Sequence, residues 1–312
     1  MATAVRDKPP RSAVRSRGVS TLKRKQHVAA YLFVLPFFVV FVAMLVVPLF
    51  YSGYLSFFAT RLIGGVRFVG VENYRKVFLD PKFLEGIGRV LLVLLIQMPI
   101  MLGLALLFAL VLDSGRARGS RALRLLIFIP YAVPGVVATL MWGYLYGRDF
   151  GPIAQVFRFL GHDAPNLLSH GNVLGSIMNV VTWEYVGYNM IVMYAALRAV
   201  PQELYEAAEI DGAGQIRLAW SIKIPAIRPA ILLTVIFSTI GSFQLFNEPS
   251  LLHNLAPNAI SSSFTPNYYA YNVAFVNQDI NYAAAIAFVL GFVVMIVSYV
   301  VQLSTARRER TS

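Results

Sequence analysis

Cysteine is absent from the 312 residues, which excludes disulfides, thiol catalysis and cysteine-ligated metals. Histidine is scarce: His27, His162, His170 and His253 lie apart, without the spacing of a metal site, and no metal centre is expected. No GxxxxGK[ST] phosphate loop, HExxH helix or GxSxG elbow occurs, so the chain carries no recognisable machinery for ATP hydrolysis or peptide and ester cleavage. Charge is also thin. Asp, Glu, Lys and Arg supply 13% of residues and hydrophobic residues 57%, against about 25% charged in ordinary soluble domains.

The charges cluster, leaving uncharged stretches at 26–60, 90–112, 125–147, 164–183, 229–247 and 280–306. Each is near or above the roughly 18–20 residues a helix needs to cross a bilayer. The expectation is an all-α integral membrane protein with six transmembrane helices. The first apolar run, Val28–Tyr51, is much longer than the 7–15-residue core of a cleaved signal peptide, and is read as a permanent span. An external loop follows at 56–86. The remaining spans are placed at 88–112, with Pro99; at 124–147, with Pro130 and Pro134; at 172–198, with Glu184; at Pro225–Asn247; and at Asn281–Leu303. Residues 28–305 thus form one membrane domain between a basic tail at 1–27, too polar to bury a core, and a short tail at 306–312. The prolines predict bends, either lining a cavity or serving packing. Glu184 has two readings, facing the protein interior or sitting at the membrane interface.

A net charge of +12 would suggest nucleic acid in a soluble protein. Its distribution points elsewhere. With the N-terminus in the cytoplasm, the inside segments hold 19 Lys/Arg and the outside segments 8, and the loop from Glu248 to Gln278 holds none. This is positive-inside topology: both termini cytoplasmic, the bilayer as partner and no nucleic acid.

One stretch does not fit a purely greasy chain. Leu204 to Gly214 reads LYEAAEIDGAG, helix-prone, with Gly212 suited to a left-handed helix end. It lies in the cytoplasmic loop at about 200–224, between spans four and five. The run continues as EAAEIDGAGQIRLAWSIKIPAIRP, from Glu206 to Pro229, and closely resembles the EAA loop of binding-protein-dependent ABC transporter permeases. The segment Ile129-Pro130-Tyr131-Ala132-Val133-Pro134-Gly135 and the run Tyr194-Ala195-Ala196-Leu197 leading to Val200-Pro201 resemble the sugar-permease branch, typified by maltose and glycerol-3-phosphate importers. The likeness covers about residues 28–305. Ile224 departs from the usual Leu before Pro225, Ala219-Trp220 stands where an aromatic pair is common, and HNLAPNAISSSFTPN lacks a Gly-Gly-Pro found in many relatives.

The resemblance implies a type I ABC importer permease fold in a bacterial cell membrane and a non-catalytic pathway subunit. Mg-ATP would be hydrolysed on a partner ATPase dimer, and this chain would bind no cofactor. A second homologous permease would complete the pathway, and an extracellular or periplasmic binding protein would deliver a carbohydrate, such as a di- or oligosaccharide. The coupling residues it implies are Glu206, Ala207, Ala208, Asp211, Gly212, Ile224 and Pro225. Sugar hydroxyls need hydrogen-bond partners and their C–H faces stack on rings, so candidates for the pathway are Tyr188, Ser238, Ser242, Gln244, Asn247 and Glu248. The serines have a second reading, as packing groups or donors to their own backbone. A secondary transporter or channel is the alternative function, but it would want several carboxylates deep in the spans and an internal repeat. Neither is evident, and that alternative leaves the EAA loop unexplained. A sensor or assembly protein would need an output domain, which is also not evident.

Overall fold

A computed structural model describes residues 30–61, 64–115 and 119–310, with the side chains of 304–310 excluded. The basic tail at 1–27 and the last two residues lie outside the described residues. The chain divides into two units, Met1–Tyr54 and Leu55–Ser312. The described part of the first is helix α1, Ala30–Leu55 apart from its last residue, with mean hydropathy 2.9 and no buried residue in its apolar window.

The second unit begins with a two-stranded antiparallel hairpin, β1 (Phe58–Arg61) and β2 (Gly65–Phe68). Helix α2 (Glu72–Leu79) follows, then the long α3 (Pro81–Asp113). Asp80 starts α3 by accepting from the Lys82 amide at 3.0 Å, with Pro81 in the first turn, a position where a missing N–H costs nothing. Next come α4 (Ser120–Ala132), α5 (Gly135–Leu145), α6 (Pro152–Phe159) and α7 (Val173–Arg198). The loop between α7 and α10 contains α8 (Gln202–Ile210) and α9 (Gln215–Leu218), followed by α10 (Arg228–Phe243), α11 (Asn247–His253), α12 (Pro266–Tyr271) and α13 (Ile280–Arg310).

Among the described residues, four helical segments are long and apolar enough to cross a membrane: α1, α3, Arg228–His253 and Ile280–Leu303. A fifth arises if α4 and α5 count as one span bent by 95°. This is a mostly helical membrane protein with four to five candidate spans, fewer than the six expected. The difference lies in α7, whose 26 residues include Ser176, Asn179, Thr182, Glu184 and Asn189. Its polar groups find internal partners. Ser176 Oγ donates to Leu167 O at 2.7 Å, Asn179 to Tyr146 Oη at 2.8 Å, and Gln97 of α3 to Thr182 Oγ1 at 3.3 Å. A helix enclosed by protein can therefore be polar where a lipid-facing one cannot.

Pro130, expected to bend its span, lies inside α4, while other prolines of the spans act in two ways. π turns at Val42–Val46, Val93–Gln97 and Ala219–Lys223 each end two residues before a proline: Pro48, Pro99 and Pro225. A proline ring collides with the carbonyl four residues back, which here falls inside the π turn, and the wider turn moves that carbonyl aside. Pro134 instead ends a helix. Val133 is extended (ψ 129°), as a residue before proline prefers, and the chain turns sharply into α5. The fifth span also differs from expectation. It begins at Arg228 rather than Pro225, because Ile227 breaks the helix (φ −98°, ψ 11°), and it is interrupted at Gln244–Phe246.

Packing follows small residues and methionines. Ala105 and Ala109 of α3, fully buried, meet Met190, Met193 and Leu197 of α7, with Ile227 closing the cluster. At the start of α3, Asp80 Oδ2 accepts from Tyr269 Oη and Tyr282 Oη, each at 2.7 Å, joining α3 to α12 and α13. Burial raises the Asp80 carboxyl, but the two phenols and the Lys82 amide outweigh it and hold the group below its ordinary value. A depressed carboxyl contributes stability above its unfolded value and loses it as pH falls through the folded one. The unfolding midpoint of the detergent-solubilised protein should therefore exceed that of Asp80→Asn at neutral pH. The gap should begin to narrow below about pH 4 and close as pH falls through the lower folded value, and a gap that does not narrow with acid would show that the carboxylate charge is not what matters.

Candidate functional site

A cavity of about 440 Å³ lies where α3, α4, α7 and α10 meet. The π turn Val93–Gln97 sets Gln97 on its wall, and α7 contributes Tyr185, Tyr188 and Asn189. Tyr131, two residues before the break at Val133, stacks on Tyr188 with ring centroids 4.8 Å apart and 25° between planes. It also meets Tyr185 edge-on at 5.9 Å. The lining thus combines stacked rings with amides.

The interrupted end of α10 also lines the cavity. Ser238, Ser242, Gln244, Asn247 and Glu248 all border the cavity, so the structure brings the six pathway candidates, Tyr188 included, around one space. The non-helical residues Gln244–Phe246 free carbonyls that the membrane interior could not satisfy. Asn267 donates to Gln244 O at 3.0 Å and Thr265 Oγ1 to Leu245 O at 2.8 Å, which permits irregular backbone beside a cavity. Ser242 Oγ donates to Ser238 O at 2.9 Å, so its hydroxyl is already engaged with its own helix.

Sequence reasoning missed Gln97, Tyr131, Tyr185 and Asn189 as wall residues. The signal was present for Gln97, a lone amide within the apolar run Leu94–Ile100. Tyr131 owes its place to the bend, and no periodicity in α4 announces it. Glu184, whose position the sequence left between two readings, is 5% exposed and interior. Its Oε1 lies 3.1 Å from where a Cβ on Gly135 would stand, and Asn247 Nδ2 lies 3.7 Å from the same point. A side chain at Gly135 would therefore press on the Glu184 carboxylate, which would have to give by a few tenths of an ångström.

In the loop between α7 and α10, α8 carries Glu206, Ala207 and Ala208 and has no buried residue. It ends in two crossed hydrogen bonds, Gly212 N to Glu209 O at 3.0 Å and Ala213 N to Ala208 O at 2.9 Å. This arrangement requires a left-handed residue between them, and Gly212 has φ 80°. Asp211 precedes it as the exposed helix cap. Leu204, Ile210, Ile216 and Trp220 leave large apolar side chains exposed around the loop. Ile224 and Pro225 form a short turn, Ile224–Ala226, leading into α10. Sequence reasoning also missed an ion pair: Lys223 Nζ lies 2.5 Å from Asp113 Oδ2 at the end of α3.

Residues 101–310 match the family described as "Binding-protein-dependent transport system inner membrane component". The match spans most of the chain, which belongs to this family. It is an inner-membrane permease component of an ABC importer, multi-pass and non-catalytic. Among curated relatives, it is 34% identical over 242 residues to a diacetylchitobiose uptake system permease of Streptomyces coelicolor, covering 73% of this chain and 68% of that one. It is 29% identical over 294 residues to a lactose transport permease of Rhizobium radiobacter, covering 93% and 98%. A bacterial alginate ABC transporter, solved in complex with an alginate pentasaccharide-bound periplasmic protein, has a chain of the same fold. That chain has a TM-score of 0.80 at 18% identity, with 91% and 96% coverage.

Proposed function

We propose that this chain forms half of the translocation pathway of an ATP-driven importer for a di- or oligosaccharide. A second homologous permease completes the path, a cytoplasmic ATPase dimer binds Mg-ATP, and an external binding protein delivers the sugar. The supporting observation is the cavity of about 440 Å³, lined by the Tyr131–Tyr188 stack together with Gln97, Asn189, Gln244 and Asn247. Rings offer faces to sugar C–H groups and amides offer donors and acceptors to hydroxyls. Named sugar systems among the relatives favour the same class.

In this reading α7, 26 residues and about 39 Å long at 1.5 Å per residue, is a sixth span. Both termini and α8 face the cytoplasm, where α8 docks on the ATPase through Glu206, Ala207, Ala208 and Asp211. Gly212, Ile224 and Pro225 shape the link from that helix to α10.

The test is uptake of radiolabelled lactose, diacetylchitobiose and longer neutral oligosaccharides by cells expressing the complete system. Tyr188→Ala and Gln244→Ala should each lower uptake of the preferred sugar about tenfold or more, at unchanged membrane level, if each removes about 1.4 kcal/mol or more of binding. Ser242→Ala should lower it less, since that hydroxyl is bonded to Ser238 O. Wild-type uptake in both the Tyr188 and Gln244 variants would overturn the assignment of the cavity. Cysteine placed at Ser262 should react with an impermeant reagent in intact cells, whereas one at Glu209 should not.

A further inference from the structure

The Lys223–Asp113 pair sits at a junction of four elements. Lys223 closes the π turn Ala219–Lys223 that precedes Pro225, and Asp113 is the last residue of α3. Their side chains are 5% and 2% exposed. The Lys223 ammonium also lies 4.8 Å from the ring centroid of Tyr205 on α8. The Tyr205 hydroxyl in turn donates to Leu197 O at the end of α7, at 3.4 Å. The apolar cluster of α3 and α7 is continuous with this point, since Leu112 and Leu197 belong to it together with Ile227. A buried pair is an uneconomical way to gain stability, because removing two charges from water offsets most of their attraction. Its directional geometry, by contrast, fixes one relative position of the groups it joins.

We infer that Asp113 and Lys223, braced by Tyr205, are positioning residues that lock the cytoplasmic end of α3 to the coupling loop, so that the two move as one body during the ATP cycle. The apparent route for movement runs along the chain, from α8 through Pro225 into α10. The pair adds a second route that bypasses the chain: α8 to Lys223 through Tyr205, then across to α3. The π turn Val93–Gln97, which carries Gln97 to the cavity wall, belongs to that same helix. Displacement of the loop would therefore reach both walls of the cavity together. The inference rests on the reading of the loop as the ATPase-coupling element.

This chain has no cysteine, so with cysteine-free partner subunits a distance measurement within it is direct. Spin labels at Ser114 and Gln202, beside Asp113 and at the start of α8, report the gap between α3 and the coupling loop. They would be read in the complete transporter, with its partner permease, ATPase dimer and binding protein, without nucleotide and after trapping with Mg-ATP and vanadate. With native Asp113 and Lys223 the distance should be narrow in both states and change by less than about 2 Å, whereas uncoupled helices slide by up to a turn, about 5 Å. Asp113→Asn and Lys223→Gln should each broaden or shift it, and the exchange Asp113→Lys with Lys223→Asp should narrow it again. If the exchange does not assemble, the apolar double variant Asp113→Leu with Lys223→Met keeps the junction filled, and its distribution should remain broad. A narrow, unshifted distance in the assembled single variants or in the apolar double would overturn the inference, as would a change of a full turn with the native pair. Failure of the underlying reading looks different: Gly212→Val would then leave binding-protein-stimulated ATP hydrolysis intact, whatever the labels report.

Discussion

Gly187→Ala is expected to remove most of the folded protein, although it adds a single methyl group to a helix that should welcome alanine. A Cβ on Gly187 would run into the carbonyl oxygen of Ile127, with Ile127 C at 2.8 Å and Phe128 Cα at 2.9 Å. These are backbone atoms of α4 and cannot rotate away as a side-chain tip would. Close backbone approach at small residues is how membrane helices gain packing energy without a hydrophobic drive between them, and here α7 meets α4 with nothing in between. Overpacking costs about 1–3 kcal/mol where neighbours can adjust, and a rigid backbone puts Gly187 at or beyond that upper end. Retreat of α4 would also part Tyr131 from Tyr188 and open the aromatic wall. In detergent extracts Gly187→Ala should give little monodisperse protein, and Gly187→Val none. Gly175→Ala is the control: it lies on the same helix, with nothing within 4 Å of its Cβ position, and should behave as wild type. A Gly187→Ala protein as abundant and heat-stable as that control would show that the crossing is looser than its geometry.

The contrast between these two glycines marks how far the sequence could be read. Nothing in the local pattern separates Gly175 from Gly187, because what differs is the helix on the other side, some sixty residues earlier. The same holds for Asp113 and Lys223, which are 110 positions apart and resemble ordinary charges at the ends of apolar runs. Local chemistry was far more legible. The break at Pro134, the left-handed end at Gly212 and the apolar lengths of α1, α3 and α13 follow from backbone sterics and hydropathy over a few residues. The placement of Ser238, Ser242, Gln244, Asn247 and Glu248 on one cavity needed only that polar groups at the end of an apolar helix avoid lipid. Finding Tyr131 on the same cavity needed the 95° bend, whose direction no sequence pattern states. The interruption at Gln244–Phe246 escaped for a related reason: its carbonyls are satisfied by Thr265 and Asn267, some twenty residues on.

Gly212→Val should leave a membrane protein that assembles and does not transport. The position is the reverse of Gly187: nothing lies within 4 Å of its Cβ position, so added volume is harmless, but its φ of 80° is a conformation that L residues rarely adopt. A β-branched residue there costs about 1–2 kcal/mol or more. That cost is met by reorganising the turn, because α8 is exposed and no core holds the turn in place. The crossed bonds to Glu209 O and Ala208 O would break, and α8 would lose its fixed direction relative to α9 and Pro225. Asn tolerates the left-handed region better than other non-glycine residues, so Gly212→Asn should transport at close to the wild-type rate, Gly212→Ala at an intermediate one and Gly212→Val at about a tenth or less, following the order of conformational cost. Glu206→Ala should act more mildly, since one exposed contact contributes about 1 kcal/mol or less. At matched membrane expression, the quantities to compare are solute uptake and ATP hydrolysis stimulated by loaded binding protein in the reconstituted complex. Both should fall together across the glycine series while α8 keeps its helical structure, because the ATPase would still bind a helix whose movement no longer reaches the spans. Wild-type uptake and stimulation in Gly212→Val would mean that the turn does not transmit force. The coupling role of the loop would then be wrong, however well Glu206 to Pro229 resembles an EAA loop.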